Sequence, residues 1–202
     1  MSYKIAINGY GRIGRCVLRA FYESTNYADL RIVAINDLAD IGNLAHLTRY
    51  DSTHGRFLGE VEQGDGELMV SGDAIRVSQQ ADVANREWND LEIDLVMECS
   101  GAFTDRETAQ IHLANGAKRV LFSQPADSDV DATLVYGINH ETLAHDATII
   151  SNASCTTNCI VPVLKAIDEV FGIDHGVITT IHSAMNDQPV IDSYHHQDLR
   201  KT

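Results

Sequence analysis

Cys155 and Cys159, four residues apart, and His182 beyond them are the side chains best suited to nucleophilic chemistry. The cysteines stand in Ser151-Asn152-Ala153-Ser154-Cys155-Thr156-Thr157-Asn158-Cys159, between a β-rich run at 147–150 and an apolar-periodic run at 160–167. That pattern predicts strand, polar turn and helix. Ser151, Asn152 and Ser154 are all N-cap residue types, which puts Cys155 at or just inside the first helical turn. A thiol there faces unpaired backbone N–H groups and the positive end of the helix dipole, about half a charge. Both favour thiolate over thiol. His182 ends a strand expected over 176–181; such a histidine is more often structural than catalytic, yet a strand end is where a base could meet that cysteine.

A second constellation lies at the start. A short apolar strand, Lys4-Ile5-Ala6-Ile7-Asn8, runs into Gly9-Tyr10-Gly11-Arg12-Ile13-Gly14 and then an amphipathic helix. This is G-x-G-x-x-G in its strand-to-helix context. The first glycine permits the tight turn, the second lets a pyrophosphate approach the backbone, and the third lets helix pack on strand. The helix N-terminus supplies donors to the phosphates. A second strand, 30–36, ends at Asp37, 23 residues after Gly14. A carboxylate there accepts from a ribose 2′-hydroxyl and repels a 2′-phosphate, so NAD is the expected cofactor.

The elements needed to position these groups follow in order. A short helix is expected over 41–47, a polar loop over 49–57, and antiparallel hairpin strands near 60–62, 67–70 and 74–77 as an insertion in the nucleotide fold. Strands at 93–99, 119–123 and 133–137, with a helix over 105–115, restore parallel α/β character. In a doubly wound sheet ligands sit beyond the carboxyl ends of strands, which makes Ser100, Gly101 and Ser123 nicotinamide-side candidates, or simple turn residues.

Composition narrows the class. The net charge of −14, with 29 acids against 15 Lys plus Arg, argues against nucleic-acid partners. Arg12, Arg15 and Arg19 cluster early, marking either a small anionic ligand or a solvated helix face. No run of about 18 apolar residues suggests a membrane span. The start carries no signal-peptide pattern, so a cytoplasmic protein with four reduced thiols is expected, Cys16 and Cys99 being buried. No Cys/His set has metal-ligand spacing, and no metal is expected.

With these residues in hand, the chain resembles the glyceraldehyde-3-phosphate dehydrogenase family. The resemblance is carried by Asn8-Gly9-Tyr10-Gly11-Arg12-Ile13-Gly14-Arg15, Tyr50-Asp51-Ser52-Thr53-His54-Gly55, the Cys155 stretch, and Thr179-Thr180-Ile181-His182. It implies a Rossmann-type doubly wound, mostly parallel sheet with an inserted antiparallel hairpin, followed by the start of an α+β catalytic domain. The expected boundaries are 1–151 for the NAD-binding domain and 152–202 for the truncated catalytic one. Members run well over 300 residues and form tetramers, so the resemblance implies a homotetramer for the full-length protein and an inactive fragment for this chain alone.

The resemblance also assigns roles. Cys155 is the nucleophile and His182 the base; Gly9, Gly11, Arg12, Ile13, Gly14, Asp37, Ser100, Gly101 and Ser123 hold NAD; Ser154, Thr156 and, less strongly, Arg200 contact a phosphorylated aldehyde substrate. Ile181-His182-Ser183-Ala184-Met185-Asn186-Asp187-Gln188 is similar to the erythrose-4-phosphate dehydrogenase branch, since Met185 replaces a hydroxyl-bearing threonine. Asp37 and Asp105-Arg106-Glu107 resemble the glyceraldehyde-3-phosphate enzymes instead, and Ala81 stands where the family usually has a cofactor-side arginine. The expected activity is NAD-dependent oxidation of D-erythrose 4-phosphate, with glyceraldehyde 3-phosphate as the alternative substrate. An NAD-binding, redox-sensing fragment is the non-enzyme alternative.

Overall fold

Alternation within the first strand decides the architecture. In β1 (Tyr3–Asn8), Ile5 and Ile7 are buried on one face with Leu18 and Leu44, and Ala6 on the other with Ala34, Val96 and Trp88. A strand buried on both faces needs a layer on each side, the condition for parallel strands joined by crossover helices. The computed structural model, which describes residues 2–24, 26–85 and 88–183, has that arrangement.

From β1, α1 (Arg12–Glu23) returns the chain to β2 (Leu30–Asn36), and α2 (Ile41–Arg49) leads to the short antiparallel pair β3 (Tyr50–Asp51) and β4 (Gly55–Arg56). Then come β5 (Val61–Gln63), β6 (Glu67–Val70) and β7 (Asp73–Ser78), followed by β8 (Leu95–Glu98), α3 (Arg106–Ala114) and β9 (Val120–Phe122). The chain continues through β10 (Ala132–Thr133) and β11 (Ile149–Ser151) into α4 (Cys155–Phe171). Among the described residues one sheet runs β10-β11-β9-β8-β1-β2-β7-β6-β5. Every pairing from β10 to β7 is parallel, and β6 and β5 add antiparallel strands at the edge. The order β7-β2-β1-β8-β9-β11 is the doubly wound one, and it reverses between β1 and β8. The crevice at that reversal is where such sheets bind ligands.

Several expectations change in detail. The hairpin lies within the nucleotide fold as expected, but its last strand, β7, also pairs in parallel with β2 and carries β6 and β5 on its outer edge. The strand expected over 133–137 stops at Thr133: the Asn139 side chain accepts the Val135 N–H at 2.7 Å and turns the chain. Residues 176–181 form no strand, for no described residue gives them a ladder partner, and Val177 and Ile181 are 95% and 98% exposed. Cys16 is half-buried rather than buried, while Cys99 is buried as expected.

Two of the three arginines on α1 are tied into the fold rather than turned to solvent. Arg19 is buried, donates to the Gly55 carbonyl at 3.0 Å and lies over the Phe57 ring. Arg15 donates to the Tyr10 carbonyl at 3.0 Å, and the more exposed Arg12 reaches Asp51 at 3.7 Å. Together they tie the 50–57 segment and the glycine turn to α1.

Candidate active site

The turn between β11 and α4 is built to deliver one side chain. Ser151, fully buried, donates its hydroxyl to the Gln124 carbonyl at 2.9 Å and accepts the Ala153 N–H at 3.1 Å. Ala153 is buried and left-handed, φ 57°. A non-glycine residue in that region costs on the order of 1–2 kcal/mol, and the bonds from Ser151 hold it there. Ser154 then caps α4, its hydroxyl accepting the Thr157 N–H at 2.9 Å and meeting the Thr157 hydroxyl at 2.6 Å. Asn158 closes the turn by donating to the Asn152 and Ser154 carbonyls at 2.7 and 3.0 Å.

Cys155 is therefore the first residue of α4, and its thiol is exposed. Its Sγ lies 3.2 Å from His182 Nε2. His182 Nδ1 sits 2.7 Å from the Ser183 carbonyl, which can only accept, so Nδ1 carries a proton. Nε2 is thereby placed to take up the thiol's proton and then donate it back to the thiolate as an ion pair. This contact lowers the Cys155 pKa most; burial pushes it the other way, and the Thr156 hydroxyl and N–H reinforce the lowering. Cys155, Thr156, Cys159, Thr179 and His182 line a groove of about 450 Å³. The expected meeting of cysteine and histidine occurs even though residues 176–181 are not a strand.

A second cleft, about 340 Å³, opens at the reversal between β1 and β8, lined by Gly9, Gly11, Asp37, Gln80 and Ser100 among others. Its glycines do three different jobs. A Cβ on Gly9, where φ is 88°, would overlap the Ser100 backbone, and one on Gly14 would strike the Gly9 carbonyl and Ile7. A Cβ on Gly11 would meet no protein atom and would enter the cleft. The backbone is thus bared to whatever lies in the cleft, as a pyrophosphate requires. Asp37 accepts the Tyr10 and Ala39 N–H groups at 2.7 and 2.9 Å, which fixes its carboxylate at the rim.

Other expected contacts sit less directly. Ile13, half exposed, and Arg12 open α1. Ser100 lines the cleft, and Gly101, φ 74°, turns the chain beside it. Ser123 follows β9 with its hydroxyl 3.0 Å from the Gln124 side chain, and it does not line the cleft. Arg200 and Met185 lie outside the described residues. Among the described residues no group of three or more His, Cys, Asp or Glu is placed to hold a metal ion, and no helix is long and apolar enough to cross a membrane.

One set of residues was not anticipated as a group. Asn8, Asn36, Glu98 and His112 are buried polar side chains at or beneath the floor of the cleft. The available signal was an acid closing an otherwise apolar strand.

Two family models match the chain. The family model described as glyceraldehyde 3-phosphate dehydrogenase, NAD binding domain, matches residues 3–106, and that described as glyceraldehyde 3-phosphate dehydrogenase, C-terminal domain, matches residues 154–202. The first contains the glycine turn, Asp37 and the cleft, and NAD is the cofactor. The second opens at Ser154, one residue before the exposed thiol. The chain belongs to the glyceraldehyde-3-phosphate dehydrogenase family, NAD-dependent dehydrogenases acting on a phosphorylated aldehyde.

Proposed function

We propose that this chain supplies the nucleophile and base for oxidising D-erythrose 4-phosphate to 4-phosphoerythronate. What supports the reading most is Cys155 at the head of α4 with His182 Nε2 at 3.2 Å. NAD, when bound, supplies the hydride acceptor. Gly9, Gly11, Arg12, Ile13 and Gly14 hold its diphosphate end, Asp37 its ribose, and Ser100, Gly101 and Ser123 the nicotinamide side. The division proposed is residues 1–151 for that work and 152–202 for the start of the catalytic domain, within a cytoplasmic homotetramer.

The Cys155 thiol passes its proton to His182 Nε2, and the thiolate adds to the aldehyde carbon. The oxyanion, faced by the Cys155 backbone N–H at the helix start, takes that proton back from Nε2 to give the thiohemiacetal hydroxyl. The thiohemiacetal hydroxyl then gives its proton to His182 Nε2 as the carbon loses hydride, leaving a thioester on Cys155. Water attacking that thioester releases the acid and regenerates the thiol. Thr156 and Ser154 flank the sulfur as substrate contacts, with Arg200 a further one; Ser154 does so from a hydroxyl that also caps the helix.

The four-carbon substrate rests on Met185, which has no hydroxyl to offer a phosphate. The second reading is glyceraldehyde 3-phosphate with inorganic phosphate as acyl acceptor, favoured by Asp37 and by Asp105-Arg106-Glu107. The latter run has structural work of its own: Asp105 caps α3 and Arg106 pairs with Asp131 at 2.7 Å. NADH formation from each aldehyde by the full-length protein, with and without phosphate, is the test. Turnover of D-erythrose 4-phosphate without phosphate is expected, and phosphate-dependent turnover of glyceraldehyde 3-phosphate overturns it. No NADH from either leaves a redox-sensing module.

A further inference from the structure

Beneath the NAD cleft a chain of side-chain hydrogen bonds crosses the ends of three strands, β2, β1 and β8, and reaches α3. Its donors and acceptors are fixed from outside. The Gln80 backbone N–H donates to Asn36 Oδ1 at 2.8 Å, so Asn36 turns its Nδ2 toward Asn8 and donates to Asn8 Oδ1 at 2.9 Å. Asn8 is left with its Nδ2 facing Glu98, to which it donates. From the other side the Trp88 indole, which can only donate, reaches His112 Nδ1 at 3.1 Å. The imidazole proton must then sit on Nε2, 3.2 Å from the same Glu98 oxygen. The Ser100 N–H donates to the other carboxylate oxygen at 2.8 Å.

Three donors converge on Glu98, and none can reverse without breaking a bond to a group that only donates. Asn8 Nδ2, the His112 Nε2–H and the Ser100 backbone N–H can only donate, which favours the ionised carboxylate, and the Ser100 side chain adds a further hydrogen bond. Glu98 and His112 are both fully buried. The carboxylate's acidity is set by burial, which opposes ionisation, and by the bonds from His112, Ser100 and Asn8, which prevail and lower its pKa.

We propose that Glu98 is a positioning residue for NAD whose fixed negative charge also biases the cleft toward the oxidised cofactor. Its bonds to Asn8 and Ser100 pin together the two turns that cross at Gly9, whose missing Cβ would overlap Ser100. The bias follows from charge. NAD+ and NADH carry the same pyrophosphate, so any repulsion there is common to both, while only the oxidised nicotinamide is cationic. With Cys155 as nucleophile, the reading on which this inference rests, the nicotinamide lies on the β8, β9 and β11 side, and Glu98 closes β8. A charge buried behind that wall is little screened by solvent.

The test is the ratio of dissociation constants for NADH and NAD+ in the full-length protein, measured by titration without substrate. Glu98→Gln is expected to lower Kd(NADH)/Kd(NAD+) about tenfold, ~1.4 kcal/mol. Equal weakening of both forms, or no change, overturns the bias; loosened packing alone would act on both alike. If Glu98→Gln does not fold, nitrogen NMR of His112 in the wild-type protein decides. A neutral ring protonated on Nε2 is expected, and an imidazolium or a ring protonated on Nδ1 overturns the proposal. Loss of the Cys155 reading would show in turnover instead, which neither measurement uses.

Discussion

His182 Nε2 stands 3.2 Å from Cys155 Sγ, while the opposite nitrogen of the same ring is 2.7 Å from the Ser183 carbonyl. The second contact fixes the tautomer that makes the first useful. With Nδ1 already protonated, Nε2 can take the thiol's proton and hold the resulting thiolate as an ion pair; the other neutral tautomer could not take that proton.

His182→Asn should therefore slow alkylation of Cys155 by iodoacetamide at neutral pH, by about tenfold. The sign follows from the thiol: His182 is the main group lowering its pKa, so removal moves the midpoint of the rate–pH curve upward. An unchanged rate removes the thiol-activating role.

Cys155→Ser in the full-length protein should abolish NADH formation and leave NAD binding intact, because the glycine cleft and the thiol belong to different turns. Turnover and cofactor titration on the same preparation check it. Residual hydride transfer would move the nucleophile elsewhere.

Gly9→Ala and Gly11→Ala should separate folding from binding. The added methyl at position 9 collides with the Ser100 backbone at a positive φ, and a loss of about 2–4 kcal/mol in stability is expected. At position 11 it meets open cleft, so the melting temperature should hold while NAD affinity falls at least tenfold. Equal effects on both quantities would contradict the assignment.

Asp131 anchors β11 by accepting the Thr148 and Ile149 N–H groups at 2.8 and 3.0 Å, and it pairs with Arg106. The Thr148 N–H, against some burial cost, and then Arg106 hold its carboxyl well below the usual range. A depressed pKa stabilises the fold above the unfolded carboxylate pKa, near 4, and the contribution fades as pH falls toward the folded value. Asp131→Asn should cost about 2 kcal/mol at pH 7, and less at pH 2, in denaturant titrations.

Much of this molecule follows from short-range pattern. The Gly9-to-Gly14 turn, the acid at the end of β2, the Ser154 cap and the cysteine after it are each decided within a few residues. What pattern misses is decided across the chain. Asn8 and Glu98 bond over a separation of 90 residues, and no local pattern pairs them. The early end of β10 depends on where the Asn139 side chain falls, and the left-handed Ala153 on a serine that must first be buried. A run of β-branched residues predicts a strand over 176–181, but composition cannot supply the neighbour a ladder needs.

β1 and β11 run parallel in one sheet, with β8 and β9 between them. The anchoring turn after β1 and the reactive turn after β11 therefore leave the same edge, three strand spacings apart, about 14 Å. Backbone ladder bonds set that interval, so side-chain substitution has little leverage over it. The sheet acts as a ruler, graduated in peptide units, on which nucleotide anchor and sulfur are two fixed marks.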